Sequence, residues 1–318
     1  MELLVIMDPL EACDPDRDTS VGLMAAAIER GHHVGCCTAG DLTLMDGEVR
    51  ARARCVAASG PSVVTSGAPR TVELGDTDAV LVRTDPPVDA GYLAMSLLLE
   101  FARGTTLLVN DPRGLREANE KLYACRFPDL MPPTIVSADA ATLLGFADRH
   151  EGAVLKPLDG HGGRGVVRLD ATDPAGPERV AVATADGTRP VMAQQFLARV
   201  ADGDRRILLL DGEPLGVLNR RPAPGEFRAN IGRGASVEVV DLEADDRRIV
   251  DALAPSLRAD GLWFVGIDVI GGRLSEVNVT SPTGLRQLTR LSGGRQDLTV
   301  VDWLEDRSAT AGSPVTGT

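Results

Sequence analysis

The chain has 318 residues, of which 43% are hydrophobic, and it carries a formal charge of −13. This length and composition exclude general disorder and allow two or three compact units with complete cores. The negative charge argues against nucleic acid or an anionic membrane as a partner, because both favour a broad basic surface.

Five cysteines form an odd set without a Cys-x-x-Cys pair, which indicates neither a disulfide framework nor a zinc site. The opening residues, MELLVIMDP, contain too short an apolar run for a signal peptide or a membrane span. The sequence therefore predicts a cytoplasmic protein that acts on small molecules.

Residues 1–118 are predicted to form an N-terminal α/β domain with an open, largely parallel sheet. Asp46-Gly47 is a favoured two-residue turn and predicts a hairpin within 42–54. Residues 58–76 have a weak pattern and are predicted to be a surface excursion. The remaining elements are strands at 3–7, 33–38, 79–83 and 107–110 and helices over about 20–30 and 91–103.

Residues 119–197 are predicted to form a small central unit, 198–308 a C-terminal unit, and 309–318 a disordered tail. A helix over 115–127, which leads into the central unit, carries Lys121. A strand over 153–157 in that unit carries Lys156. The elements predicted further on are strands at 134–137, 166–170, 190–197, 204–210, 213–221, 262–270 and 274–280, helices over 140–150, 177–185 and 244–259, and a mobile loop over 221–236.

The stretch KPLDGHGGRG, residues 156–165, places a lysine before four glycines. A glycine-rich loop lets the backbone approach a phosphate, but a P-loop has its lysine after the glycines, so that class is excluded. Only two of the 33 basic residues are lysines, Lys121 and Lys156. Because a compact ammonium suits phosphate oxygens, both lysines are candidate phosphate ligands. The alternative is that two lysines remain by chance among the 33 basic residues.

Asp268, Glu276 and Asn278 lie in otherwise apolar strands within WFVGIDVIGGRLSEVNVTSP. Glu276 and Asn278 are two residues apart and share one face of a strand. A two-residue turn at Gly271-Gly272 would place Asp268 opposite Ser275, whereas a three-residue turn would place it opposite Glu276. We expect the three-residue turn because the three side chains together suit Mg²⁺. A hydrogen-bonded cluster without metal is the alternative.

The combination of motifs resembles the ATP-grasp ligases, and specifically prokaryotic glutathione synthetase, over nearly the whole chain. The order and spacing of the motifs are more specific than any one of them. The matching stretches are VIMDP (5–9), RTDPP (83–87), NEKL (119–122), LKPLDGHGG (155–163), MAQ (192–194), GDRR (203–206) and EVNVTSPTGLR (276–286).

The resemblance implies a three-domain ATP-grasp fold in which ATP lies between the central and C-terminal units. It implies that Mg²⁺ is held by Asp268, Glu276 and Asn278, with Mn²⁺ as a possible substitute. The residues that it assigns to ATP are Lys121, Lys156, Gly160, Gly162 and Gly163 at the phosphates and Gln194, Gln195, Phe196 and Leu197 at the adenine.

The resemblance also implies a reaction, in which ATP phosphorylates the cysteinyl carboxylate of γ-glutamylcysteine and glycine displaces the phosphate. By their position in the family pattern, the arginines that would stabilise the developing charge are Arg206, Arg220 and Arg228. The alternative is that these side chains are solvated and have no role in the reaction. The loop over 221–236 would shield the acyl phosphate. Residues expected at the dipeptide are Arg83, Asp85, Ser281 and Thr283, although Ser281 could instead cap the following helix. The family predicts a dimer or a tetramer.

The loop RPAPGEFRANIGRGAS, residues 221–236, departs from the family pattern because the family is usually richer in glycine there. Two alternative functions therefore remain. One is a related ligase that joins a different acyl substrate and amine. The other is a non-catalytic ATP-binding protein, which would have less need for both lysines and all three candidate magnesium ligands.

Overall fold

The computed structural model describes residues 1–60, 62–170 and 172–311. In that part of the chain the strands form three sheets, of seven, four and five strands. The helices within these ranges include none with the length and apolar character needed to cross a membrane.

The first sheet contains the parallel βαβ arrangement predicted for the N-terminal region. The central strand β1 pairs in parallel with β2 on one side and β6 on the other, and β6 pairs in parallel with β7. Asp18 and Asp89 cap the connecting helices α1 and α2 through their side chains. The elements are β1 (Glu2–Met7), α1 (Thr19–Glu29), β2 (His33–Cys37), β6 (Ala79–Arg83), α2 (Ala90–Leu99) and β7 (Leu107–Val109).

Three antiparallel strands extend this sheet beyond β2. The Asp46-Gly47 turn joins β3 (Leu42–Met45) to β4 (Glu48–Ser59), as predicted. The predicted surface excursion is wrong, because β5 (Ser62–Glu73) pairs with β4 along most of its length. Gly67 and Pro69 interrupt the pattern of β5, and a register shift between Ala53 and Cys55 accommodates them.

The predicted helix over 115–127 is wrong, and Lys121 lies in a turn. Helix α3 (Pro112–Glu117) ends early because the Asn119 side chain accepts hydrogen bonds from the backbone of Lys121 and Leu122, both at 3.1 Å. The Asn119 amide also donates to Leu158 O at 2.9 Å. These bonds place the turn against the segment that leads into the glycine loop.

The second sheet is antiparallel and has the strand order β10-β9-β11-β8. Helices α4 and α5 pack against each other and against this sheet. Its elements are β8 (Thr134–Ser137), α4 (Ala140–Arg149), β9 (Ala153–Pro157), β10 (Val167–Leu169), α5 (Gly176–Thr184) and β11 (Val191–Gln195).

The third sheet is antiparallel, with the order β14-β13-β12-β15-β16. Strand β14 was not predicted; it begins at the last residue of the expected mobile loop and pairs with β13. Helix α8 extends through the first residues of the predicted disordered tail, and residues 312–318 lie outside the described ranges. The elements are β12 (Asp204–Leu210), β13 (Glu213–Arg221), β14 (Ser236–Val240), α6 (Ala244–Ala259), β15 (Phe264–Ile270), β16 (Arg273–Asn278), α7 (Leu285–Ser292) and α8 (Gln296–Ala311).

The first and third sheets share their hydrophobic cores. One cluster combines Leu4 and Val82 of the first sheet with Ile267 of the third, and another combines Val5 with Leu208 and with Leu304 of α8. The second sheet has a separate, smaller core. This arrangement opens a cleft between the second and third sheets.

Candidate active site

The main cleft has a volume of about 270 Å³. It lies between strands of the second and third sheets and is bordered by the segments that follow β6 and β16. Most of the predicted site residues line it: Asp85, Lys121, Lys156, Gly160, Gly162, Gln194, Gln195, Phe196, Leu197, Arg206, Arg220, Arg228, Asp268, Glu276, Asn278, Ser281 and Thr283. Two predicted residues, Arg83 and Gly163, are not among its lining residues.

The two lysines lie in the cleft with different partners. Lys121 Nζ donates to Glu276 Oε1 at 2.9 Å and to the carbonyl of Gly160 at 2.6 Å. Lys156 Nζ instead donates to two neutral oxygens, Gln194 Oε1 and Ser275 Oγ, both at 2.8 Å. Burial lowers the pKa of Lys156, because a low-dielectric environment disfavours the charged ammonium.

The glycine loop begins directly after Lys156 and adopts backbone conformations that suit glycine. Gly162, Gly163 and Gly165 have φ of +60°, +71° and +68°. A Cβ atom at Gly162 would meet no atom within 4 Å. Positive φ, rather than crowding, is therefore the reason for glycine at this position.

Asp268 lies opposite Glu276, as predicted, but the turn that we expected is wrong. Gly271-Gly272 form a two-residue turn that pairs Ile270 with Arg273, and a register shift then places Asp268 across from Glu276. The extra residue in β16 is Ser275, so a β-bulge produces the pairing that a longer turn was expected to produce.

Two arginines hold the buried Asp268 carboxylate. Arg206 Nε lies 2.6 Å from its Oδ1, and an Arg220 NH2 lies 3.0 Å from the same oxygen. Although burial alone would raise the pKa of Asp268, these arginines hold it below its ordinary value. Arg220 also pairs with Asp204 at 2.7 Å. Burial, together with nearby Asp268, raises the pKa of Asp204 to about 6, and Arg220 opposes this shift.

Two of the three predicted magnesium ligands are available to a hard cation without rearrangement. Within the described part of the chain, Glu276 Oε2 and Asn278 Oδ1 accept no hydrogen bond, and both residues line the cleft. Carboxylate and amide oxygens with an incomplete protein shell suit Mg²⁺. Asp268 would have to share its oxygens between a cation and the two arginines.

The end of β11 and the loop over 222–235 form an apolar wall of the cleft. The Phe196 ring lies between the Arg168 guanidinium, 4.0 Å away, and the Phe227 ring, whose centroid is 6.4 Å away in an edge-on arrangement. Arg228 forms a two-pronged pair with Glu226 in the same loop. The loop therefore contacts the second sheet through an aromatic pair.

The segment after β16 connects the predicted dipeptide-side residues. Arg83 is buried and donates to Ser20 Oγ at 3.1 Å and to Pro282 O at 2.9 Å, while Arg206 donates to Thr283 O at 3.1 Å. Burial raises the pKa of Asp85, and a hydrogen bond from Ser281 opposes this shift. Arg83 therefore contacts the lining of the cleft through its hydrogen bond to Pro282. Ser281 does not cap the following helix, because the N-cap of α7 is Gly284.

Sequence reasoning missed Glu120, Ser275 and Asp204, which all line the cleft. Glu120 Oε1 accepts bonds from Val279 N at 2.9 Å, Thr280 N at 3.2 Å and Thr280 Oγ1 at 2.8 Å. Its position inside the NEKL motif was the available signal. Ser275 gave no signal, because its contact depends on the bulge.

The fold is that of the ATP-grasp ligases. The ATP-grasp ligase PsnB complexed with minimal precursor, Mg and ADP matches with a TM-score of 0.62 and 16% identity, over 97% of this chain and 98% of that one. D-cycloserine synthetase DcsG matches with a TM-score of 0.62 and 17% identity, over 96% of this chain and all of that one.

Residues 1–116 match the prokaryotic glutathione synthetase N-terminal domain, and residues 120–293 match the prokaryotic glutathione synthetase ATP-grasp domain. Glutathione synthetase of Synechocystis sp. is 43% identical, over 96% of this chain and 99% of its own length. Glutathione synthetase of Parasynechococcus marenigrum is 46% identical, over 92% of this chain and 94% of its own length. The chain belongs to the prokaryotic glutathione synthetase family.

Proposed function

We propose that the protein is an ATP-dependent carboxylate–amine ligase that joins γ-glutamylcysteine and glycine, with release of ADP and phosphate. Glutathione synthetases that align with at least 92% of the chain support this activity. The observation that carries it is the cleft in which the chain's two lysines meet the Asp268–Glu276 strand pair. A purely binding protein would have little need for this arrangement.

ATP would bind with its phosphates at Lys121, Lys156, Gly160, Gly162 and Gly163. The two ammonium groups supply positive charge, and the glycine loop supplies backbone that a phosphate can approach closely. Adenine would lie against Gln194, Gln195, Phe196 and Leu197, where Phe196 offers an apolar face. This placement directs the γ-phosphate toward the arginines of β12 and β13.

Mg²⁺ would be held by Glu276 and Asn278, with Asp268 as the third ligand. The ion supplies charge neutralisation to the phosphate oxygens of ATP. Mn²⁺ also accepts oxygen ligands and would substitute at the same residues. The buried pairs that Asp268 forms with Arg206 and Arg220 support a shared role, in which the carboxylate orients both guanidinium groups.

Arg206 and Arg220 would stabilise the charge that develops when the γ-phosphoryl group of ATP passes to the cysteinyl carboxylate with release of ADP. They would act again when the amine attacks the acyl phosphate and displaces phosphate. Fixed cations in a water-poor cleft do this with little reorganisation. Arg228 lies on the loop over 222–235 and would join them when that loop covers the acyl phosphate. The loop would also exclude water, which would otherwise hydrolyse this intermediate.

The dipeptide would bind beside Asp85, Ser281 and Thr283. Arg83 is buried and donates to two neutral oxygens, and its NH1 nitrogen has no hydrogen-bond partner among the described residues. It would act on the substrate by fixing the segment at Pro282 and by adding positive charge behind the cleft. The added positive charge favours an anionic substrate.

We further propose domain limits near residues 118 and 197, because the first and second sheets end close to them. The family supports a homodimer or a homotetramer. The cysteine content supports a cytoplasmic location. Sedimentation of the purified protein measures the assembly directly.

The decisive experiment measures ADP release and amide formation with γ-glutamylcysteine plus glycine, against a panel of other dipeptides and amino acids. We expect the glutathione pair to give the highest kcat/KM. Faster turnover with another pair would identify a related ligase instead. Nucleotide binding without ADP release for any carboxylate would identify a non-catalytic protein.

A further inference from the structure

The β-bulge in β16 brings two consecutive side chains into the cleft. In a regular strand, Ser275 and Glu276 would point to opposite faces. Here Ser275 is the extra residue between the pairs Val269–Leu274 and Asp268–Glu276. Both side chains line the cleft, and each accepts a hydrogen bond from one of the two lysines.

The contacts of Lys156 leave its charge and one donor available. An ammonium has three donors, and two of them are taken by Gln194 Oε1 and Ser275 Oγ. Among the described residues, no carboxylate lies within ion-pair distance of Lys156, whereas Lys121 is paired with Glu276. Lys156 is therefore oriented by neutral acceptors and has one N–H donor left for an anion.

The two oxygens that hold Lys156 belong to different sheets. Gln194 lies on β11 of the second sheet, where its amide also donates to Thr134 Oγ1 at 3.2 Å. Ser275 lies on β16 of the third sheet and is 5% exposed. Its hydroxyl is 3.5 Å from Gln194 Oε1. Ser275 is thus the contact through which the third sheet fixes a lysine of the second.

We propose that Ser275 is a positioning residue, which the bulge places so that it aims the Lys156 ammonium at the phosphates of the nucleotide. This proposal rests on the proposed binding of ATP in the cleft. It adds a role for the register irregularity itself, because a regular β16 could not direct both Ser275 and Glu276 into the cleft.

The test is Ser275→Ala, measured by calorimetric titration with MgADP in the absence of other substrates. Loss of a hydrogen bond to a charged group should weaken MgADP binding by about tenfold. The KM for the dipeptide and for glycine should stay unchanged, and Ser275→Thr should recover much of the affinity. Ser236→Ala is the matched control, because Ser236 is an exposed serine on β14 of the same sheet.

A double-mutant cycle with Lys156→Ala separates positioning from a general structural role. In the Lys156→Ala background, Ser275→Ala should weaken MgADP binding no further. The proposal is overturned if Ser275→Ala leaves the affinity unchanged, or if its effect is the same with and without Lys156. If Ser275→Ala does not fold, the comparison of Ser275→Thr and Ser275→Cys with the wild type decides, since only the former keeps the hydroxyl. Failure of the wild type to form the amide would contradict the proposed function while leaving this binding test intact.

Discussion

Glu120 links the phosphate side of the cleft to the acyl-substrate side. Its carbonyl accepts from Val277 N at 2.9 Å, and its side-chain oxygen Oε1 holds Val279 and Thr280. Burial and the nearby Glu276 raise the pKa of Glu120. A carboxylate in this environment is retained for its hydrogen bonds, because all three donors to it lie on the segment that leads to Ser281.

We predict that Glu120→Ala raises the KM for the dipeptide by roughly tenfold or more, because two backbone N–H groups and one hydroxyl lose their acceptor. The affinity for MgADP should change less, since the backbone bond that places Lys121 remains. Glu120→Gln should have a smaller effect than alanine, because a single amide oxygen can accept the same bonds. Steady-state kinetics and calorimetry measure the two effects.

Glu117→Ala is the control for this prediction, because Glu117 is an exposed carboxylate three residues earlier on α3. This variant should leave the KM for the dipeptide and the affinity for MgADP close to the wild-type values. An unchanged dipeptide KM in Glu120→Ala would show that the hydrogen bonds to residues 279 and 280 are dispensable.

The chemistry of single residues was predictable, and their exact local setting was not. The spacing of Glu276 and Asn278 placed both on one face, and the opposition of Asp268 and Glu276 is confirmed. The predicted three-residue turn was wrong, because a β-bulge in β16 produces the same pairing. Where a bulge forms depends on tertiary packing, here that of Ser275 against Lys156. Lys121 was assigned to a helix because the helical pattern continues past Asn119. The Asn119 side chain stops the helix by accepting hydrogen bonds from the backbone of Lys121 and Leu122.

At the level of elements, the loop over 222–235 is closed onto the second sheet by Phe227. Phe196, at the end of the cleft wall, meets the edge of Phe227, and Ala229 of the loop is buried. The neighbouring strand β14 escaped prediction because it is only five residues long, includes the charged Glu238 and lies at a sheet edge, where one side is exposed. Pairing with β13 fixes the far end of the loop.

We predict that Phe227→Ala raises the fraction of ATP hydrolysed without ligation by several-fold. An edge-on aromatic pair contributes about 0.5–1.5 kcal/mol, so its loss would open the loop more often and admit water to the acyl phosphate. The ratio of ADP released to amide formed measures this effect.

Phe101→Ala serves as the matched control, because Phe101 is 56% exposed and lies outside the cleft. It should leave the ratio at the wild-type value. If Phe227→Ala also leaves the ratio unchanged, the aromatic contact does not keep the loop closed.

At the level of the whole molecule, the C-terminal helices join the first sheet to the third. Leu304 of α8 is fully buried in a core that also contains Val5 and Leu208. Arg30, directly after α1, pairs with Asp302, and His32 pairs with Glu305. This docking was not predictable from the sequence, because the pattern of α8 gives its buried face but not the element that covers it.

The chain's two tryptophans report on this junction, since the rings of Trp263 and Trp303 lie 6.1 Å apart. We predict that Leu304→Ala lowers the free energy of unfolding by about 2–5 kcal/mol, because it leaves a cavity in the shared core. Urea unfolding followed by tryptophan fluorescence measures this loss, because both rings lie beside the shared core. Leu291→Ala removes the same atoms from a side chain that is 47% exposed and should cost less than about 1 kcal/mol. Equal losses in the two variants would mean that α8 is a peripheral helix rather than part of the core that joins the sheets.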